Sequence, residues 1–367
     1  VGRMDVCSLD DGIEYSFWRN YGPQNESILQ LMTRSYSGLC DRIYKPPRMD
    51  WKEYELESAD FAAETFLLRT SGGEQLQCAY FQLEMENTIF KNSEVDSVDS
   101  GDGEDSTTSG QRDSEDSLDT ALHDTLVLYL HTNCTNLVMA KEILPVCKAL
   151  NASMLAYDLR GHGKSSGDGL ADLDTNILDL ERVVDWSRSK ATNIILWSRG
   201  LSTCIATSFM LRMIQKEKQV NAKLSANSFI RFQNPIRYLV LDSPWGGVEE
   251  LLKDSIKRVH ALEYSGVPKN LFDLVARFFR RSIRNRSKGM DPFTIKPIND
   301  VPDIHIPASF LLPTDDDYIP LYHGTDMAAA YGGVVFARIF EGEHFGNRDA
   351  EVVKGVVKHI HSHIHIM

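Results

Sequence analysis

The sequence predicts an α/β fold in which a doubly wound, mostly parallel sheet carries helices on both faces. Short, wholly apolar runs recur along the chain, as is typical of parallel strands buried on both faces. Longer segments with helical periodicity separate them, and this alternation favours right-handed crossovers between parallel strands. With 367 residues, 42% hydrophobic and 25% charged, the chain is long enough for one large domain with added segments.

The first predicted element is a hairpin, at 66–68 and 78–83, around the turn residues Ser71, Gly72 and Gly73. The later elements are, in chain order, a strand at 126–131, a helix at 139–149, a strand and Gly-rich loop at 154–167, an amphipathic helix at 174–189, a strand at 194–197, a helix at about 203–216, and strands at 238–242, 309–313 and 334–340.

Composition divides the chain into two parts, and the second part contains two distinct segments. Residues 1–60 form an N-terminal extension, and 61–365 form the α/β domain. Within that domain, residues 247–300 are mostly helical and lie between two predicted strands, which indicates a helical lid. The segment 92–119 holds most of the net charge of −13 and almost no apolar residue. Such a segment cannot bury enough surface to fold, so we expect a disordered acidic insertion over 92–124.

The most informative segment is LWSRGLST, residues 196–203, which joins a buried strand to a helix. A strand-to-helix turn of this kind can be a nucleophile elbow, where the reactive residue sits in a strained conformation at the apex. The chain folds back so tightly there that the residues two before and two after the apex must be small.

Three registers of this turn can be compared. An apex at Ser198 has Leu196 as one flank, which is too bulky. An apex at Ser202 has Gly200 and Cys204 as flanks, which are sterically tolerable. An apex at Gly200 has Ser198 and Ser202 as flanks, both small, and glycine accepts a positive φ without cost.

The Gly200 register also confines the strand to the apolar run 194–197, whereas the Ser202 register pushes Arg199 into the strand end. It therefore fits best, and it leaves the elbow without a nucleophile. Ser198 and Ser202 remain the alternatives for an active serine, and a segment that forms no elbow at all is the third alternative.

Two loops carry residues suited to the other parts of a catalytic triad. Asp316 follows the strand 309–313 and can orient a histidine and stabilise its charged form. His344 follows the last strand in the segment FEGEHFG, and the order elbow, Asp, His suits a general base. An acidic capping loop and an ordinary loop histidine are the alternatives.

A third loop, YLHTNCTN at 129–136, follows a buried strand where a backbone N–H could contribute to an oxyanion hole. A glycine is usual in a loop that lends such a donor, because the backbone must approach the substrate closely. Thr132 takes this place here, and its side chain is expected to crowd or redirect the donor. A plain strand-to-helix loop is the alternative.

Together these segments resemble the α/β-hydrolase superfamily, in particular its serine aminopeptidase S33-like and acyl-protein-thioesterase-like branch. The resemblance spans about residues 60–365 and rests on YLHTN, YDLRGHGKSSG, LWSRGLS, LDSPW, the Asp316 segment and EGEH. Family members often carry LWGRSMGA at the elbow, which aligns Gly200 with the nucleophile. The resemblance implies triad positions at Asp316 and His344 and oxyanion-hole amides at Thr132 and Leu201.

Two functions of different class follow. The first is a pseudohydrolase that keeps a pocket for a small acyl or peptide-like ligand. The second is an active serine hydrolase, acting on ester, thioester or peptide bonds, in which Ser198 or Ser202 attacks, His344 transfers the proton and Asp316 orients it.

A basic amphipathic segment lies within the predicted lid, at 272–289. Such a helix can lie on an anionic membrane surface or simply pack by its apolar face. The arginines are too isolated, in an acidic chain, to predict nucleic-acid binding. Its charged and apolar members are Arg277, Arg280, Arg281, Arg284, Arg286 and Lys288, with Phe272, Val275, Phe278, Phe279 and Ile283.

The remaining features concern location and cofactors. The six cysteines have neither metal-site nor disulfide spacing, and most lie in apolar segments, which predicts reduced thiols in the cytoplasm. Residues 1–8 lack the apolar core of a signal peptide, and no apolar run is long enough to span a membrane. No metal or cofactor is expected.

Overall fold

The computed structural model describes residues 56–83, 125–133, 135–167, 172–223, 233–263, part of 274–285, and 291–364. The predicted insertion 92–124, nearly all of the predicted N-terminal extension and the remainder of the basic segment lie outside these residues.

Eight strands of the described chain form one sheet in the order β1-β2-β4-β3-β5-β6-β7-β8. β2 is antiparallel to both of its neighbours, β1 and β4, and all the other pairs are parallel. The strands are β1 (Phe61–Arg69), β2 (Gln75–Leu83), β3 (Thr125–Leu130), β4 (Ser153–Tyr157), β5 (Asn193–Arg199), β6 (Ile236–Asp242), β7 (Ala308–Pro313) and β8 (Val335–Phe340).

Helices cover both faces of the sheet. One face packs against α2, α3 and α5, and the other packs against α1 and α6. The predicted doubly wound, mostly parallel sheet is therefore confirmed. The α-helices are α1 (Leu144–Ala149), α2 (Leu173–Ser187), α3 (Ser202–Lys223), α4 (Val248–Glu263), α5 (Leu321–Ala330) and α6 (Ala350–Ile364).

The two-sided burial explains why the central strands are apolar throughout. In β3, Leu126 and Leu128 belong to the core on the α2 and α3 side, whereas Val127 and Tyr129 belong to the opposite core. Successive side chains point to opposite faces, so every position of such a strand is buried.

The sheet also determines where a site can form. β3 lies between β4 and β5, so the connection from β3 to β4 and the connection from β4 to β5 leave in opposite directions. Ligands of open α/β sheets bind outside the carboxyl ends of strands at such a switch point. The loops after β3 and β5 are therefore the first places to examine.

Several elements differ in detail from the predictions. The predicted helix 139–149 begins as a 3₁₀ helix, Leu137–Ile143, and continues as α1, with Pro145 in the first turn, where its missing N–H costs no hydrogen bond. β5 extends through Arg199, beyond the predicted end at residue 197. β8 is an edge strand and partly exposed, whereas the central strands are buried.

The predicted lid, 247–300, contains one long described helix, α4, and short 3₁₀ turns at Pro292–Thr294 and Pro297–Asn299. Arg258 of α4 forms an ion pair with Asp317, and Asp254 accepts a hydrogen bond from Tyr322. This helix therefore docks beside the loop that carries Asp316. Across the part of the chain that the structure describes, no helix has the length and apolarity needed to cross a bilayer.

Candidate functional site

Four loops converge at the carboxyl edge of the sheet. Thr132 follows β3, Gly200 follows β5, Asp316 follows β7 and His344 follows β8. Parallel strands all end at the same edge, so residues far apart in sequence meet there.

Gly200 forms the apex of a tight strand-to-helix turn. Its φ of +54° lies in the left-handed region that glycine adopts without strain. Its N–H donates to the carbonyl of Asp242 at 2.8 Å. Its carbonyl accepts from the hydroxyl of Thr203 at 2.7 Å and from Nε1 of Trp245 at 3.2 Å. The backbone of the turn is therefore held from both sides.

Asp316 and His344 form a buried pair. Nδ1 of His344 lies 2.8 Å from Oδ2 of Asp316, and the two side chains are 6% and 1% exposed. The other carboxylate oxygen accepts from the backbone N–H groups of Tyr318 and Ile319 at 2.9 and 2.8 Å. Asp316 thus orients the imidazole and also closes its own loop.

The other ring nitrogen of His344 faces Thr132. Its Nε2 lies 3.3 Å from the Thr132 hydroxyl oxygen, Oγ1. The carboxylate of Asp316 can only accept, so Nδ1 carries a proton, and in the neutral form of the ring Nε2 accepts from the threonine hydroxyl. The backbone N–H of Leu201 donates to the same Oγ1 at 3.4 Å. Thr132 is therefore bonded both to the histidine and to the first amide after the turn.

The direction of Gly200 shows what a side chain there would meet. A Cβ added to it would lie 2.9 Å from Nε2 of His344, 2.1 Å from Oγ1 of Thr132 and 3.0 Å from Cβ of Thr132. Position 200 thus points at the imidazole, and the side chain of Thr132 fills the space that a residue larger than glycine would need.

The two serines beside Gly200 face the backbone. The Ser198 hydroxyl donates to the carbonyl of Val240 at 3.3 Å. The Ser202 hydroxyl accepts from the N–H of Arg199 at 3.1 Å, with the carbonyls of Leu130 and Arg199 both at 2.9 Å. Both serines are fully buried. Within the described residues, the side-chain hydrogen bonds of His344 involve Asp316 and Thr132 and neither serine.

A second histidine fixes the loop that carries Thr132. Nε2 of His131 accepts from the N–H of Leu159 at 2.9 Å, so Nδ1 bears the proton and donates to the carbonyl of Thr132 at 2.7 Å. Burial lowers the pKa of His131 from 6.5 to about 4. This ring is therefore neutral at physiological pH and holds the Thr132 backbone in place.

Arg199 is a site residue that the sequence did not reveal. It is fully buried at the end of β5, and Nη2 donates to the carbonyls of His344 and Gly346 at 2.5 and 2.8 Å. Nη1 pairs with Glu142 at 2.5 Å, and Nε lies 3.8 Å from Asp242. Burial alone would lower the pKa of Arg199, but these two carboxylates raise it, so the guanidinium stays charged.

Arg348 holds the same loop from the other side. Its guanidinium donates to both carboxylate oxygens of Asp242, at 2.6 to 3.1 Å, and to the carbonyl of Glu343 at 2.8 Å. The sequence signal for this network is a charged residue at the end of each of two apolar strands. Arg199 and Asp242 end neighbouring buried strands, where a charged side chain needs a partner of opposite charge.

Solved structures share this architecture. An esterase of Pyrococcus furiosus superposes with a TM-score of 0.54 at 16% identity, over 88% of this chain and 98% of the esterase. An acetyl xylan esterase of Paenibacillus sp. R4 gives a TM-score of 0.53 at 13% identity, over 96% of this chain and all of the enzyme. No protein-family model and no curated protein matches the sequence.

The fold is that of the α/β hydrolases. In this fold the turn after the central strand carries the nucleophile, and the next amide forms part of the oxyanion hole. Here that turn carries Gly200, and the next amide, of Leu201, donates to Thr132. Among the described residues, no group of three metal-ligating side chains is arranged to hold a metal ion.

Proposed function

We propose that this protein is a pseudohydrolase, a non-catalytic binding protein built on the α/β-hydrolase fold, whose ligand is a small acyl or peptide-like molecule. One observation carries the proposal. A Cβ added at Gly200 would lie 2.9 Å from Nε2 of His344, but glycine itself offers no nucleophilic atom. The orienting pair of Asp316 and His344 therefore has no serine to activate at the apex of this turn.

The surroundings of Thr132 support the same conclusion. In an active site of this fold, the amide of Leu201 would stabilise the oxyanion of an attacked carbonyl. Here it donates to the hydroxyl of Thr132, and the threonine is 2% exposed. A substrate carbonyl would have to displace this side chain to reach the amide.

Hydrolysis is the second candidate function. Its specific support is the 3.3 Å contact between the Thr132 hydroxyl and Nε2 of His344, which joins a hydroxyl, an imidazole and a carboxylate in one chain. The Thr132 hydroxyl would then attack the acyl carbon while His344 takes its proton. His344 would return this proton to the alcohol, thiol or amine as its bond to the acyl carbon breaks, and water would later release the acyl group from the threonine. Ser198 and Ser202 remain the serine alternatives, although each hydroxyl faces the backbone.

Labelling with a fluorophosphonate probe separates these functions. We expect no covalent labelling of the wild-type protein at a concentration that labels an active serine hydrolase fully. Labelling that disappears in Thr132→Val would assign catalysis to the threonine. Labelling that disappears in Ser198→Ala or in Ser202→Ala would identify the corresponding serine. Any of these three results would overturn the pseudohydrolase proposal.

A gain-of-function variant is the matched positive control. Gly200→Ser alone places its Cβ against Oγ1 of Thr132, so we combine it with Thr132→Gly, which removes the obstructing side chain. We expect Gly200→Ser/Thr132→Gly to be labelled, and the label to be lost when His344→Ala is added. A folded double variant without label would show that position 200 is not a latent nucleophile position.

Binding itself is measured with p-nitrophenyl butyrate, an ester that a non-catalytic protein leaves intact. We expect saturable binding to the wild-type protein, weaker binding to His344→Ala, and no release of p-nitrophenolate. Absence of saturable binding would contradict the ligand class, whereas steady turnover would contradict the loss of catalysis.

We also propose a family branch and a compartment. The match of Leu196, Trp197 and Arg199 to the elbow LWGRSMGA supports the serine aminopeptidase S33-like and acyl-protein-thioesterase-like branch. The free, buried thiols of Cys78 and Cys204 support a reducing cytoplasmic location. Burial raises the pKa of each to about 12, so neither is a reactive thiolate.

A further inference from the structure

The basic segment of the lid exposes apolar side chains to solvent. The residues that the structure describes between 274 and 285 are helical. Leu274 is 45% exposed and Phe278 is 54% exposed, although both are large hydrophobic residues. A helix that packed against the domain through these two side chains would bury them.

The described arginines lie beside these apolar residues. At about 100° per residue, Leu274 and Phe278 lie roughly 40° apart around the helix axis. Arg281 and Arg277 come next on one side of this pair, and both are exposed. The helix therefore presents an apolar strip, Leu274 and Phe278, with positive charge along one side, and helices that lie in a membrane interface combine these two features.

Contacts at the end of this segment tie it to the rest of the domain. Arg280 forms an ion pair with Asp291 and stacks over the ring of Phe293, with 4.9 Å between its Cζ and the ring centroid. Arg280 thus anchors the helix, while Arg277 and Arg281 are exposed beside Leu274.

We propose that this helix binds an anionic membrane surface. The arginines would contact lipid phosphates and the apolar strip would enter the acyl boundary. The acidic segment 92–119 of the same chain is the competing occupant, because it could neutralise the arginines. It is almost free of apolar residues, however, so it offers little apolar surface to pack against Leu274 and Phe278. A lipid surface accounts for both the charge and the apolar strip.

Sedimentation with vesicles tests the proposal on the full chain. We expect binding to phosphatidylcholine vesicles that contain phosphatidylserine and little binding to phosphatidylcholine alone. Arg277→Glu/Arg281→Glu should weaken binding about tenfold or more, and Leu274→Ser/Phe278→Ser should also weaken it. The matched control is Lys218→Glu/Lys223→Glu on α3, an equal charge change at exposed positions, which should stay within about twofold of wild type.

Three results would overturn the proposal. The first is equal binding to both kinds of vesicle. The second is an equal loss of binding in the α3 control, which would reduce the effect to net charge. The third is binding that appears only after deletion of 92–119, which would make the acidic segment the occupant of the helix in the intact protein. Thermal unfolding of each variant excludes misfolding as the cause. None of these results bears on the pseudohydrolase proposal.

Discussion

The side chain of Thr132 occupies the space into which a side chain at position 200 would project. A Cβ on residue 200 would lie 2.1 Å from the Thr132 hydroxyl oxygen, far inside contact distance. The threonine side chain can therefore take its observed position only because residue 200 is glycine. The same side chain contacts His344 and the amide of Leu201, the groups that a hydrolase would offer to its substrate.

This relationship predicts an energetic coupling between positions 132 and 200. Gly200→Ala should destabilise the protein by more than the roughly 1–3 kcal/mol that a positive φ costs an L-residue, because the overlap with Thr132 is added. In the background of Thr132→Gly the cost of Gly200→Ala should fall by about 1 kcal/mol or more. Urea unfolding of the four proteins measures the coupling.

Gly73 provides the matched control for this cycle. Its φ is +88°, and an added Cβ would have nothing within 4 Å. Gly73→Ala should therefore show the backbone cost alone and no coupling to Thr132→Gly. Equal costs for the two glycine substitutions would show that Thr132 does not limit position 200.

A second prediction concerns Asp316, whose carboxylate bonds to the imidazole through one oxygen and to two backbone amides through the other. Asp316→Ala should destabilise the protein by about 1–3 kcal/mol, because the amide of buried Ile319 loses its acceptor. Asp316→Asn keeps an acceptor oxygen there and should cost less than half as much. Thermal unfolding compares the two, and equal costs would contradict the loop-closing role.

Arg199 gives the third prediction. Arg199→Met removes the guanidinium that donates to the carbonyl of His344 at 2.5 Å. It also leaves Glu142 without its guanidinium partner. A buried charge that loses its partner costs about 3–5 kcal/mol. The exposed Arg182, which donates to the carbonyl of Arg69, is the control, and Arg182→Met should change stability by less than about 0.5 kcal/mol. Chemical denaturation measures both, and similar losses would refute the special role of Arg199.

The buried His131 predicts a pH dependence of stability. Burial lowers its pKa from the ordinary value of 6.5, which applies to the unfolded chain, to about 4 in the folded protein, so the unfolded chain binds more protons between these two pH values. The contribution of this residue is therefore complete above pH 6.5 and lost as the pH falls towards 4. The shift corresponds to roughly 3 kcal/mol.

His131→Gln removes this titration. The difference in unfolding free energy between wild type and His131→Gln should thus shrink as the pH falls from 7 to about 4. A difference that stays constant over this range would show that His131 does not titrate in this window.

Much of the fold followed from the sequence because burial imposes patterns that the chain displays. The strands β3, β5, β6 and β7 are short apolar runs, since both of their faces are covered. The edge strand β8 and the antiparallel β1 are partly exposed, so their patterns are weaker. β1 is three times the predicted length because its first residues pair with β2 on a half-solvated edge.

The positions of the site loops were also predictable, because parallel strands end at one edge. The contacts between them were not. Nothing in the spacing of Thr132, Gly200 and His344 indicates that the threonine hydroxyl reaches the imidazole. That contact depends on the backbone position of Thr132, whose carbonyl accepts from His131 and Thr135. Arg199 was expected to disfavour a strand, yet it ends β5 because Glu142 and Asp242 neutralise it there.

Under the proposed function, the overlap between Thr132 and any side chain at position 200 also sets the order in which mutations could introduce a nucleophile. A serine that appears first at position 200 meets the threonine and is selected against for stability, whatever chemistry it offers. A glycine that appears first at position 132 opens the space but provides no nucleophile and so no benefit. Gaining a nucleophile at position 200 thus requires two changes, each unfavourable or neutral alone. The side chain of Thr132 is therefore a barrier to a serine at that position.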